Sequence, residues 1–157
     1  MDDIDRAILR CLREDARISN LELSRRINLT PSATLKRVRR LEEEGVVTGC
    51  AVRLDHRKLG LNMNVLISVV TSENVGTIDI GRRLAAFPDV CDVYDVAGSM
   101  SYIVRAVVRD TAGLNDLIIR MGRIPGVTRT QTTLIMNILK NELSAAPPEE
   151  EAAPEGD

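Results

Sequence analysis

Eleven consecutive residues, Thr30 to Arg40, concentrate the chemistry of this chain: T-P-S-A-T-L-K-R-V-R-R. They hold Lys36, Arg37, Arg39 and Arg40 and no acid. A helix whose exposed face carries Lys and Arg can lie in the major groove of DNA and meet base edges and phosphates. At about 100° per residue, Pro31, Leu35, Val38 and Leu41 fall in one arc, the expected packed side. Ala33, Lys36, Arg37 and Arg40 fall opposite, flanked by Ser32 and Arg39, where a ligand would be met. Taken alone, such a run also reads as a solvated helix face. The elements around it decide between the two.

Those elements have recognisable starts and stops. Thr30 can cap a helix, and Pro31 suits its first turn, where a missing N–H costs nothing. Glu42, Glu43 and Glu44 lead to Gly45, a residue suited to the position just past a helix end. Upstream, Asp2 or Asp3 caps a first helix with Ile4, Ile8, Leu9 and Leu12 on one face, ending near Asp15 to Arg17. Ser19-Asn20-Leu21-Glu22 has the capping-box pattern and opens a short helix holding Leu23 and Ile27. Asn28-Leu29 makes a tight turn into the basic helix. Helix, helix, turn and basic helix within 44 residues is the spacing of a helix-turn-helix. Val46 to Leu54 then reads as a strand interrupted at Gly49.

Asp55 to Gly60, D-H-R-K-L-G, is a polar connection, and the pattern changes beyond it. Val65 to Val70 reads as a buried strand and Thr77 to Phe87 as a helix. Val90 to Val96 and Tyr102 to Val108 read as strands. Thr111 caps a helix with Leu114, Leu117, Ile118 and Met121 on one face, and Val127 to Leu139 reads as a long last strand. Phe87-Pro88-Asp89-Val90 and Ile124-Pro125-Gly126-Val127 form a weak repeat, each leaving a helix and opening a strand. The order is that of a ferredoxin-like βαββαβ sandwich, with helices on one sheet face. Because the strands are aliphatic, a second copy of the chain is expected on the other. Ser144 to Asp157 is low in complexity and acidic, and is expected to be disordered.

Charge and composition narrow the function. The net charge is −2 over 157 residues, but Met1 to Leu54 is net +2 and Ser144 to Asp157 net −5. The N-terminal part can therefore serve a polyanion. Phe87, Tyr94 and Tyr102 are the only aromatics, too few for base-stacking platforms of the kind that bind single strands or RNA. Cys11, Cys50 and Cys91 are far apart, no C-x-x-C pair exists and His56 is the only histidine, so no structural zinc or other cofactor is expected. Unpaired cysteines suit a reducing cytoplasm, and each reads as a small apolar filler. The acidic start, Asp2 and Asp3, reads as no secretory leader, and no apolar run reaches membrane-spanning length.

Several fragments together resemble the Lrp/AsnC, or feast/famine, regulators. They are Asp2-Asp3-Ile4-Asp5 with Ile8-Leu9, Arg17-Ile18-Ser19, Glu22-Leu23-Ser24, Leu29-Thr30-Pro31-Ser32 and Arg37-Val38-Arg39-Arg40-Leu41-Glu42-Glu43-Glu44-Gly45. Pro125-Gly126-Val127 with Thr130 and Thr132 extends the likeness, which covers about Asp2 to Glu142. The resemblance implies an α+β chain: a winged helix-turn-helix over 1–54, a linker over 55–60 and a βαββαβ effector and oligomerisation domain over 61–143. The acidic tail, 144–157, lies outside it. It implies a homodimer, with octamers common, that binds double-stranded DNA and responds to an amino acid or related metabolite.

Carried onto this chain, Pro31 to Glu44 becomes the recognition helix. Ser32, Ala33, Lys36, Arg37 and Arg40 are then expected at base edges, with Arg39 and Ser19 on phosphates. The effector turn becomes Gly98-Ser99-Met100-Ser101-Tyr102, joined by Thr130 and Thr132. The family commonly has acids in this turn; Ser99 and Ser101 stand here instead, and hydroxyls do not supply the charge that pairs with an ammonium group.

Two other classes stay in view. Siroheme decarboxylases share the architecture, so fold does not exclude an enzyme. The effector half, however, has no histidine, nucleophile–base pair or metal cluster. A ligand-binding scaffold that has lost DNA binding is the second alternative, and the intact basic helix speaks against it. The expectation is a cytoplasmic, DNA-binding, effector-responsive transcriptional regulator and not an enzyme.

Overall fold

The computed structural model describes residues 1–74, 76–141, 145 and 147. The chain divides into two compact units, residues 1–52 with the segment from Lys140 onward, and residues 53–139. Apart from Ala145 and Pro147, the acidic tail lies outside the described residues.

In the first unit three helices surround Ile8, Leu23 and Leu41. Helix α1 (Asp3–Glu14) starts at Asp2, whose carboxylate accepts the Asp5 N–H while Asp5 accepts that of Asp2. Helix α2 (Asn20–Arg26) is capped by Ser19, which accepts from Glu22 N–H at 3.1 Å. Asn28 then takes a left-handed φ of 55°, and Leu29 N–H returns to Ser24 O. Asn tolerates that conformation better than most residues, so the tight turn is written into the sequence at this point. Helix α3 (Pro31–Glu43) starts on Thr30, whose hydroxyl accepts from Ala33 N–H. It ends at Gly45 (φ +70°), where Gly45 N–H reaches Glu42 O and Val46 N–H reaches Leu41 O, a Schellman closure.

Two expectations fail in this unit. Val46 to Leu54 forms no strand. Val46 and Val47 both donate to Leu41 O, so the chain is spent closing α3 and finds no neighbouring strand to pair with. The packed side of α3 is also rotated. Thr34 and Leu41 are buried and Val38 half-buried, while Pro31 and Leu35 are exposed. Thr34 can be buried because its hydroxyl donates to Thr30 O.

The second unit begins with a short 3-10 helix (His56–Leu59) and continues β1 (Met63–Thr71), α4 (Asp79–Ala85), β2 (Val90–Asp95), β3 (Tyr102–Val108), α5 (Thr111–Gly122) and β4 (Val127–Leu134). The sheet order is β2-β3-β1-β4, every neighbouring pair antiparallel. This is the expected βαββαβ arrangement. Val65, Ile67 and Val69 of β1 and Val104, Ala106 and Val108 of β3 meet Ile80, Leu84, Leu117 and Met121 of the helices. Asp110, not Thr111, caps α5 through Gly113 N–H, and β4 stops at Leu134 rather than Leu139.

The opposite sheet face is mixed, not aliphatic. Register places Leu66 beside Arg105 and Thr133, Ser68 beside Ile103 and Gln131, and Asp92 beside Arg105, with which it forms an ion pair. Val65 to Val70, expected to be buried throughout, is a two-faced strand with Leu66, Ser68 and Val70 on the mixed side. Cys50 and Cys91 are exposed and therefore not fillers; Cys11 is half-buried.

Candidate DNA-reading helix and effector turn

Helix α3 presents Ser32, Leu35, Lys36 and Arg39 to solvent. Ala33 is half-buried, and the Ser32 hydroxyl lies 3.2 Å from that of Thr30. Asn20 of α2 donates to Pro31 O at 2.8 Å, so the starts of α2 and α3 are tied together. Ser19, expected on phosphate, sits at the α2 cap, close in the chain to that tie.

Arg37 and Arg40 are not free on that face. Arg37 Nη1 donates to Asp2 Oδ2 at 2.7 Å and to Asp5 Oδ1 at 2.8 Å. Arg40 Nη2 donates to Asp5 Oδ2 at 2.6 Å. The Asp5 side chain is 1% exposed, so this is a buried carboxylate held between two guanidinium groups. Burial pushes the Asp5 carboxyl up, but the Asp2 N–H and the two arginines outweigh it and the net shift is downward. Asp2 is lowered to about 2, first by the Asp5 N–H and then by Arg37. The two acids fix α3 to the start of α1 and neutralise two of its four cations. Lys36 and Arg39 are exposed, and Arg40 is exposed too although it is paired to Asp5. Sequence reading gives a capping role to Asp2 or Asp3 and none to Asp5; nothing local in the sequence connects Asp2 and Asp5 to Arg37, 32 residues on from Asp5.

In the second unit Gly98 and Ser99 are exposed and Met100 is half-buried. The two hydroxyls that follow are turned inward. Ser101 Oγ accepts from Thr71 N–H at 3.0 Å and lies 3.1 Å from Thr71 Oγ1. Tyr102, 3% exposed, donates its O–H to Glu73 Oε2 at 2.8 Å. Burial, then Glu73, raises the Tyr102 pKa to about 12, so it acts as a donor and stays protonated. Val69 pairs with both Tyr102 and Thr130, and Ile67 with Thr132. Paired residues share a face, so Tyr102, Thr130 and Thr132 lie on the helix-covered side. Thr130 stands one strand beyond Val69 at the end of the sheet that carries the turn; Thr132 stands one row further in. Glu73 is the residue that sequence reasoning missed, being 29 positions from the tyrosine it meets.

Among the described residues no group of His, Cys, Asp and Glu could hold a metal ion, and no helix is long and apolar enough to cross a membrane.

Comparison with known proteins accords with this division. Residues 1–48 match the family model for a winged helix-turn-helix DNA-binding domain, and residues 64–144 that for the Lrp/AsnC ligand binding domain. The HTH-type transcriptional regulator AldR of Mycolicibacterium smegmatis is 37% identical over 143 residues, covering 89% of this chain and 84% of that protein. The leucine-responsive regulatory protein of Salmonella typhimurium is 33% identical over 145 residues, covering 89% and 87%. The solved structure of a feast or famine regulatory protein from M. tuberculosis, complexed with L-methionine, superposes with a TM-score of 0.86 at 34% identity, covering 93% of this chain and 99% of that one.

Proposed function

The chain belongs to the Lrp/AsnC family of DNA-binding transcriptional regulators, and from that premise we propose that it reads its operator through the outward row of α3 and is modulated by a small metabolite at its effector domain. Its relatives are named as regulators, and the chain is of that kind and not an enzyme. The observation that carries the reading is the capped helix α3, tied to α2 at its start and clamped to α1 along its flank, with Ser32, Lys36 and Arg39 facing out. Lys36 and Ser32 are the base-edge candidates, with the Ala33 methyl beside them. Arg39 and Ser19 suit phosphate. Arg37 and Arg40 act chiefly by orienting the helix, with the remaining N–H groups of Arg40, 47% exposed, available to a phosphate.

The effector side rests on the relative solved with L-methionine and on the polar turn Gly98–Tyr102 with Thr130. A metabolite that binds one assembly or one DNA-binding state better than another shifts the population toward it. The assembly is a homodimer, placing two copies of α3 on half-sites related by its two-fold axis. A cytoplasmic location is part of the same proposal, supported by the DNA-binding domain and by the exposed, unpaired thiols of Cys50 and Cys91.

The test is a gel-shift titration on DNA upstream of the chain's own gene, with unrelated competitor DNA and with or without an L-amino acid mixture. The proposal expects a competitor-resistant complex whose midpoint moves with the mixture. A complex abolished by competitor contradicts the operator reading, and an unmoved midpoint contradicts the amino-acid effector.

A further inference from the structure

The DNA-binding match ends at residue 48 and the ligand-binding match begins at residue 64, so the chain between them belongs to neither. Within it, residues 53–60 read R-L-D-H-R-K-L-G and hold three cations, Arg53, Arg57 and Lys58, against one acid, Asp55. The rest of the second unit, residues 61–139, balances seven basic residues with seven acidic ones. The linker is therefore the cationic stretch of an otherwise neutral unit.

These cations are held out and left open. All three are exposed. Among the described residues none of them has an ion pair or a side-chain hydrogen bond, whereas Arg105 and Arg120 of the same unit pair with Asp92 and Asp89. The one acid of the stretch is spent on the backbone, its carboxylate accepting the Arg57 N–H at 3.1 Å. Lys58 N–H returns to Asp55 O at 3.1 Å, Gly60 N–H to Arg57 O at 3.0 Å and Leu61 N–H to His56 O at 2.9 Å. The 3-10 helix is thus a closed turn that carries two consecutive cations on a fixed backbone, so little order is lost when they meet a ligand.

Chain length bounds where they can act. Val47 is fixed to the end of α3 by its N–H on Leu41 O. At ~3.5 Å per residue, Arg53 stands at most about 20 Å from Val47 and Lys58 at most about 40 Å. One turn of duplex is ~34 Å long and carries a phosphate charge every ~1.7 Å of its axis. A duplex seated on α3 therefore offers phosphates to the linker within about one turn of the bases read. Helix α3 itself has few open cations, since Arg37 and Arg40 are paired to Asp2 and Asp5.

We propose that Arg53, Arg57 and Lys58 form a second DNA contact, gripping backbone phosphates of the duplex that flanks the bases read by α3. The proposal rests on the reading of the chain as an operator-binding regulator. The three cations add affinity and no sequence information, because every base pair presents the same phosphates.

The experiment is fluorescence anisotropy of the full chain over a range of salt. One probe is a mixed-sequence duplex of about four turns, ~40 base pairs; the other is the DNA upstream of the chain's own gene. Wild type is compared with Arg53→Gln/Arg57→Gln/Lys58→Gln. A control, Arg83→Gln/Arg109→Gln/Arg123→Gln, removes the same charge from other exposed positions of the second unit. Thermal melting checks that both variants fold. Each phosphate contact contributes ~0.9 to the slope of log K against log salt, so the linker variant should lose about 2 to 3 in slope per chain on both probes. Its preference for the upstream DNA should stay unchanged, and the control should keep the wild-type slope. A native slope for the linker variant on the mixed-sequence duplex overturns the contact. Equal loss in both variants overturns it too, since net charge alone then explains the effect. Loss confined to the upstream DNA, together with its preference, contradicts a phosphate contact. If wild type shows no preference for the upstream DNA, the operator reading fails, while the slopes on the mixed-sequence duplex still decide this proposal.

Discussion

Arg37 and Arg40 are the residues whose surroundings differ most between sequence and structure. A helical wheel places them on the outward arc because it counts only apolar partners for the inward one. Asp2 and Asp5 supply a charged partner that no periodicity reveals. The clamp has a pH signature. Both carboxyls titrate below their ordinary value near ~3.9, so their contribution to stability is full above about pH 4. It is lost as pH falls through the folded-state values, which for Asp2 means about 2. Urea midpoints of wild type and Asp2→Asn should therefore differ by a constant amount from pH 7 to about pH 4, then converge toward pH 2. A gap that widens on acidification would contradict the clamp. Arg37→Met, which leaves Asp5 buried and short of one partner, should lower the urea midpoint in the same assay.

The elements were mostly readable, and for identifiable reasons. The three caps at Asp2, Ser19 and Thr30, and the stop at Gly45, are short-range chemistry and appear where the residue types put them. The α4 start failed that test. Thr77 reads as a helix opening, but the helix begins at Asp79 under a cap supplied by Glu73. Strand faces were only partly legible in β1, where Val65 to Val70 is apolar except for Ser68, the one polar residue in that run that marks the mixed face. Val46 to Leu54 has strand propensity but pairs with no strand, Val46 and Val47 donating to Leu41 O instead.

Close packing gives an element-scale test. A Cβ on Gly81 would stand 2.6 Å from Tyr102 Cε1, so α4 crosses β3 at a distance only glycine permits. Gly81→Ala should cost about 1–3 kcal/mol by overpacking, despite alanine's better helix propensity. It should also displace Tyr102 from Glu73. Denaturant unfolding measures the first effect. An unchanged or raised midpoint would mean that the crossing has slack.

At the scale of the whole molecule, the proposed function makes DNA binding and effector binding one coupled thermodynamic quantity. If an amino acid changes DNA affinity by some factor, DNA changes amino-acid affinity by the same factor. Titrating the amino acid with and without saturating operator should return that factor; unequal factors would mean that more than these two sites are coupled. Assembly is a separate claim. Light scattering at micromolar concentration should give a mass of at least twice the 17.3 kDa chain. A monomer would remove the two-fold operator geometry. The mixed outer face of the sheet weakens the composition-based case for a second copy, so this measurement carries it.

Which charges on α3 meet DNA is the question on which the account turns. The direct measurement is fluorescence anisotropy of an operator duplex over a range of salt, for wild type, Lys36→Ala/Arg39→Ala and Arg37→Met. Each phosphate contact contributes about 0.9 to the slope of log K against log salt. The account predicts a slope reduced by roughly 1 to 2 and a lost preference for operator in the double variant, and a near-native slope for Arg37→Met. A native slope and preference in the double variant, with both lost in Arg37→Met, would place the reading face where the helical wheel had put it and contradict the clamp.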